Sequence, residues 1–156
     1  MTNSSTIPKY YLYPSTLFAQ KEGHMVTTVL GSCVAVCLYD ETAGIGGINH
    51  YMLPFWNGNE LASPKYGNIA IESLIKKLER LGASKANMVA KVFGGANQLN
   101  HTVGVGNRNI KIAQEMLEEL KIKIVAKSVG GEKGRKINFN TSTGEVFMKY
   151  VTKQGE

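Results

Sequence analysis

The chain has 156 residues, with 18 Lys and Arg against 12 Asp and Glu for a formal net charge of +6; 43% of residues are hydrophobic and 19% charged. That length suits a single domain, expected to span residues 1–156, and the composition excludes a disordered chain. No apolar run nears the roughly 20 residues of a membrane helix, and "MTNSSTIPKYYLYP" has no signal-peptide pattern, so no membrane insertion is expected and the cytoplasm is the expected compartment.

Residues 10–20 read as one or two short strands broken at Pro14, and Met25–Leu30 as a strand ended by Gly31-Ser32. Cys33–Tyr39 and Ile45–Leu53 form a hairpin around "DETAG", stopped by Pro54. Residues 55–65, "FWNGNELASPK", form a loop. The apolar period then becomes helical: Ile71, Leu74, Ile75, Leu78 and Leu81 predict a helix over 68–81, with Asn68 as N-cap and Gly82 just past its end. Asn87–Phe93 is a strand running into a polar, Gly-rich loop, "GGANQLNHTVGVGN". A second helix runs from about Arg108 to Leu120, with Asn107 as its cap. Ile122–Val129 is a strand, "GGEKGR" a turn, and Lys136–Asn140 pairs with Glu145–Val151 around "TSTG". Two helices cannot cover both faces of so much sheet. The expected fold is α/β of the α+β type, a layered sandwich of two β-sheets with two main helices packed on one side.

The chemistry concentrates in "VTTVLGSCVAVCLYD", which holds both cysteines. A disulfide between Cys33 and Cys37 is excluded by strand geometry: four residues span about 13 Å, and bridged Cα atoms lie within about 7 Å. No further cysteine and no paired histidines supply a metal site. Cys37, inside "VAVCLY", reads as a buried small hydrophobe. Cys33 follows Gly-Ser at the mouth of a turn, where a nucleophile can stand exposed beside free backbone amides. A thiol nucleophile needs a base. A hairpin turn centred near Glu41–Thr42 pairs residues whose numbers sum to about 83, which sets Cys33 opposite His50. His24 and His101 read as exposed or capping residues. Thr27 and Thr28, on the strand before the turn, are both placed to orient the histidine, and the Cys33 N–H is a natural oxyanion donor.

"LGSCVAVCLYD" followed by "GGINHYMLP" closely resembles the chemoreceptor glutamine deamidase family CheD of bacterial chemotaxis. The resemblance extends over about residues 25–150, through "YGNIAIESLIKKLERLGA", "KVFGGANQL", "VGNRN" and "GGEKGRKINFNTSTGEV". It implies a Cys–His amidohydrolase on layered sheets, needing no metal or organic cofactor, that converts glutamines of methyl-accepting chemotaxis receptors to glutamate with release of ammonia. Carried over by motif, the catalytic residues are Cys33, His50 and, six residues before the cysteine, Thr27 rather than Thr28. The phosphatase CheC is a further partner that the resemblance implies. Its alternatives are a non-enzymatic partner of CheC and a Cys-dependent amidohydrolase with another protein substrate. The net positive charge favours an acidic receptor surface over nucleic acid, since the Lys and Arg residues form no nucleic-acid motif. A bulky helical receptor also implies an open pocket, with the 55–65 and 94–107 loops at its rim. The chain departs from the family pattern at Ser128, where aspartate is common, and at Gly134-Arg135, where proline often precedes the arginine. Both departures are expected to touch a loop rather than the triad.

Overall fold

The computed structural model describes residues 7–97 and 104–151. Its elements are β1 (Lys9–Tyr11), β2 (Thr16–Ala19), β3 (Met25–Leu30), β4 (Val34–Asp40), β5 (Ile45–His50), α1 (Gly67–Arg80), β6 (Met88–Gly94), α2 (Val105–Glu119), β7 (Lys123–Val129), β8 (Gly134–Asn140) and β9 (Val146–Val151). They form a four-stranded sheet in the order β1-β3-β8-β9 and a five-stranded sheet in the order β2-β5-β4-β6-β7. Each sheet has one parallel pair, β1 with β3 and β6 with β7.

Period-2 alternation along β4 separates two cores. Val34, Val36 and Leu38 pack with Ile71, Leu74 and Leu78 of α1 and with Ala113 and Leu117 of α2. Ala35 and Cys37, on the other face, join Val26, Leu30, Ile48, Ile137 and Phe139 between the two sheets. Buried on both sides, this central strand is apolar at nearly every position, which explains its unbroken run. The layers are sheet, sheet, helices, as the composition and period predict.

The helix ends differ from expectation in one consistent way. Gly82 does end α1: its N–H reaches the Glu79 carbonyl and the Ala83 N–H reaches Leu78, a Schellman arrangement with Gly82 at φ 111°. Neither asparagine caps a helix. The N-cap of α1 is Tyr66, and Asn68 Oδ1 accepts the Trp56 N–H at 3.1 Å. The N-cap of α2 is Gly104, and Asn107 Oδ1 accepts from Asn97 Nδ2 at 3.0 Å. Both carboxamides hold neighbouring loops instead of their own helix's amides.

The β4–β5 register also needs correction. Asp40 faces Ile45 and Cys37 faces Ile48, so paired numbers sum to 85 rather than 83. The turn is centred one residue later because Asp40 closes it. Its carboxylate accepts the Ala43 N–H and its carbonyl accepts the N–H of Gly44, which sits at φ 70°. A shift of two in the sum leaves the parity of every side chain unchanged.

Candidate active site

Gly31–Cys33 carries the chain from the four-stranded sheet, where β3 ends, to the five-stranded sheet, where β4 begins. All three carbonyls of this crossing are tied back. Gly31 O accepts from the Ala96 N–H at 2.9 Å and Cys33 O from the Gly95 N–H at 2.8 Å. Ser32 O accepts from Asn109 Nδ2 at 2.9 Å. The approach of the β6 end requires glycine: Gly94 has φ 111°, and a Cβ there would lie 2.2 Å from Cys33 O. Among the described residues no main-chain carbonyl takes the Cys33 N–H. The crossing therefore turns its acceptors away and leaves a donor beside the thiol. Burial pushes the Cys33 thiol up to about 11, opposed by its own N–H.

His50 ends β5 and is 2% exposed. The corrected register sets it level with Ala35, and sets Cys33 level with Met52. The two are diagonal neighbours rather than directly opposed. Parity keeps both on the side facing the other sheet, where diagonal pairs lie roughly 7–8 Å apart. Cys33 packs against the inter-sheet core. Between them the ladder is interrupted, because the Val36 N–H bonds the side-chain Oδ1 of Asn49 at 2.9 Å. Pairing resumes at Val34 and Tyr51. No hydrogen bond joins the thiol to His50 among the described residues.

The residue that meets His50 is Thr28. Its Oγ1 lies 2.7 Å from His50 Nδ1 and 2.7 Å from the Leu12 carbonyl oxygen. A hydroxyl has one proton, and a carbonyl can only accept. Thr28 therefore donates to Leu12 O and accepts from Nδ1–H. This fixes the neutral tautomer that keeps its lone pair on Nε2, the nitrogen left for the thiol.

Thr27 is not brought to the site. It lies on the outer face of the sheet, where its Oγ1 donates to Asn138 Oδ1, its register partner. Of the two threonines, it is Thr28 and not Thr27 that lies within hydrogen-bond distance of His50. The reason is alternation: Val26, Thr28 and Leu30 are in phase and buried, so Thr27 faces the opposite way. The remaining expectations fall as follows. His24 Nδ1 is 2.8 Å from the Glu22 carbonyl and its ring sits edge-on to Phe18, away from Cys33. Cys37 is 2% exposed in the inter-sheet core, and burial raises its thiol pKa far above the usual range. His101 and residues 98–103 of the Gly-rich loop lie outside the described residues. Of the other proposed rim loop, Phe55 is exposed. Just past His50, Met52 is exposed as well, with its sulfur accepting from Ser15 Oγ at 3.3 Å.

The two departures, at Ser128 and Gly134, fall in strands β7 and β8 rather than in a loop, and the arginine that follows Gly134 is buried. Arg135 lies in β8 opposite Leu30 and is 3% exposed. Its guanidinium donates to Ser128 Oγ at 3.0 Å, to Gly130 O at 2.8 Å and to Gly94 O at 3.4 Å. The cation thus braces the Gly94-Gly95 turn behind Cys33, and no described carboxylate pairs with it. Ser128→Asp would place an anion against a buried guanidinium. It is expected to raise the thermal midpoint, by an amount matching about 1–3 kcal/mol for a charge-assisted bond. An unchanged or lowered midpoint counts against this reading of Arg135.

Burial pushes the His50 imidazole down to about 4, from an ordinary value near 6.5. Between those values the unfolded chain binds the proton and the folded one does not. Stability is therefore expected to fall as pH drops from about 6.5 to about 4, by up to roughly 3 kcal/mol, and to be unaffected by this group above 6.5. Urea unfolding at pH 4.5 and 7.5 measures it. A difference that persists undiminished in His50→Asn assigns the slope to other groups.

Comparison with known proteins shows the family of the chain. The model of the family described as CheD chemotactic sensory transduction matches residues 52–150, a stretch that begins just after His50. A protein of Sulfurimonas denitrificans named "Probable chemoreceptor glutamine deamidase CheD" is 52% identical over 149 residues, covering 93% of this chain and 96% of the relative. One of the same name from Trichlorobacter lovleyi is 51% identical, covering 94% and 92%. Another from Clostridium botulinum is 42% identical over 134 residues, covering 81% and 83%.

Proposed function

The chain belongs to the CheD family, and from that premise we propose that it deamidates glutamine side chains of chemoreceptors, with Cys33 as nucleophile, His50 as base and Thr28 as the residue that orients it. The observation that carries this reading is the Leu12–Thr28–His50 relay, which leaves the unprotonated Nε2 on the side of the sheet shared with Cys33. The names of the curated relatives supply the substrate class.

Burial favours a neutral thiol and a neutral imidazole at rest, so the proton moves during attack rather than beforehand. Cys33 Sγ bonds to the side-chain carbonyl carbon of the glutamine as its proton passes to His50 Nε2. The negative charge that develops on oxygen is met by the Cys33 N–H, a type of contact worth about 3 kcal/mol in the transition state. The imidazolium returns its proton to the departing nitrogen, the C–N bond breaks and ammonia leaves. Water then attacks the thioester, giving its proton to Nε2, and the C–S bond breaks as the thiol recovers that proton. The sum is glutamine plus water to glutamate plus ammonia. Thr28 holds Nδ1–H throughout and stabilises the transient imidazolium through its oxygen.

The basic net charge supports docking on an acidic receptor surface. Among the described residues no helix is long and apolar enough to cross a membrane, and the proposed setting is the cytoplasm, where both thiols stay reduced. Mass spectrometry of a chemoreceptor incubated with the protein tests the activity. Each converted glutamine gains about 1 Da, the mass difference between an amide NH₂ and a hydroxyl, with the chain intact. Chain cleavage, or no mass change, overturns the deamidase reading.

A further inference from the structure

The geometry points to Asn109 as a positioning residue that holds nucleophile and base in register by supplying a side-chain rung at the open end of the β4–β5 ladder. This rests on the deamidase reading above. The last backbone pair of that ladder is Val34 with Tyr51, which exchange both bonds at 3.1 and 3.0 Å. Beyond it the strands part: Gly31–Cys33 turns toward the other sheet, and Met52 and Leu53 turn to bond Lys65. The next hydrogen-bonded rung would join residues 32 and 53, and it is missing. Asn109 spans the gap instead. Its Nδ2 gives one proton to Ser32 O at 2.9 Å and the other to Met52 O at 3.0 Å. Ser32 immediately precedes Cys33, and Met52 lies two residues past His50. The amide therefore closes a frame on whose two sides the thiol and the imidazole stand.

Two further observations set Asn109 apart from an ordinary buried asparagine. Its main-chain oxygen accepts the Tyr51 hydroxyl at 2.6 Å, so α2 is fastened to the residue next to His50 independently of the Asn109 side chain. Its Oδ1 is enclosed and has no hydrogen-bond partner among the described residues. A buried unpaired carbonyl is unfavourable, and the flipped amide would set Oδ1 against two carbonyl oxygens. The side chain is thus held in one orientation despite an unsatisfied acceptor, which fits a positional task better than a stabilising one. The same rung ties back the Ser32 carbonyl and keeps it away from the forming oxyanion.

Asn109→Ala removes the rung, and Asn109→Asp keeps its shape while facing both carbonyls with acceptors. Folding is checked by circular dichroism, and turnover is measured on chemoreceptor. Both variants are expected to lower kcat by about 10- to 100-fold with KM within twofold, as misplacement of reacting groups does. Alkylation of Cys33 by iodoacetamide gives a readout that needs no receptor. At pH 7, where the thiol depends on His50 to take its proton, the variants should react at least about tenfold more slowly than the native protein. At pH 10, within about one unit of the thiol's raised value, hydroxide can take the proton without His50 and the difference should shrink to within about twofold. A folded variant with native kcat and native pH 7 alkylation overturns the proposal, as does an alkylation defect of equal size at both pH values. If Asn109→Ala does not fold, Asn109→Asp carries both readouts. If the native protein converts no glutamine, the deamidase reading fails, and the alkylation ratio still judges Asn109.

Discussion

Cys33→Ala is expected to abolish glutamine conversion, with a fall in kcat of at least about 10⁴, because it removes the attacking sulfur of the proposed mechanism. The fold should survive, since the crossing is held by its carbonyls rather than by the thiol. Cys37→Ser is the matched control. It places a hydroxyl among Ala35, Ile48 and Phe139 between the sheets and should cost about 1–3 kcal/mol of stability. Specific activity of the folded fraction should remain native. Receptor mass spectra recorded side by side for the three proteins decide the matter. Unchanged conversion by Cys33→Ala in cells would favour a non-enzymatic role beside CheC. A selective loss of turnover in well-folded Cys37→Ser would exchange the roles assigned to the two thiols.

Thr28→Val should reduce kcat by about 10²–10³ at nearly constant KM. Valine matches threonine in shape but cannot accept Nδ1–H, so the imidazole loses its fixed tautomer and orientation. It also removes the donor to Leu12 O, and some loss of stability should accompany the kinetic effect. Thr27→Val should leave kcat within about twofold, because among the described residues its hydroxyl engages Asn138 on the outer face and not His50. Steady-state kinetics of the two variants on one receptor preparation make the comparison direct. The reverse pattern, with Thr27→Val inactive and Thr28→Val native, would mean that motif spacing identifies the orienting residue and the relay to Leu12 does not.

The layered fold and most strands are legible in the sequence, because burial imposes period 2 on strands and period 3.6 on helices. Which of the two threonines meets His50 is legible too, though by a different signal from spacing. Val26, Thr28 and Leu30 alternate on one face of β3, and only an in-phase residue can reach a histidine lying between the sheets. Arg135 follows the same rule, in phase with Ile137 and Phe139 on β8. The hairpin register was harder, because it turns on how the Asp40 carboxylate closes its loop. The face shared by Cys33 and His50 survives that error only because the shift is even. Asn109 carries no local signal. It meets Ser32 from 77 residues away and depends on how α2 lies against the ends of β4 and β5.

The group that selects the protonation site of His50 is the Leu12 carbonyl, a main-chain atom. Any residue at position 12 presents the same oxygen, so substitution of that side chain does not erase the selection, and divergence there carries no information about it. What must be inherited is the path of the segment after β1, held by the Leu12 N–H on the Thr27 carbonyl at 2.8 Å. On the proposed mechanism, an insertion or deletion between β1 and β2 would therefore act as an active-site mutation while leaving Cys33, His50 and Thr28 in place.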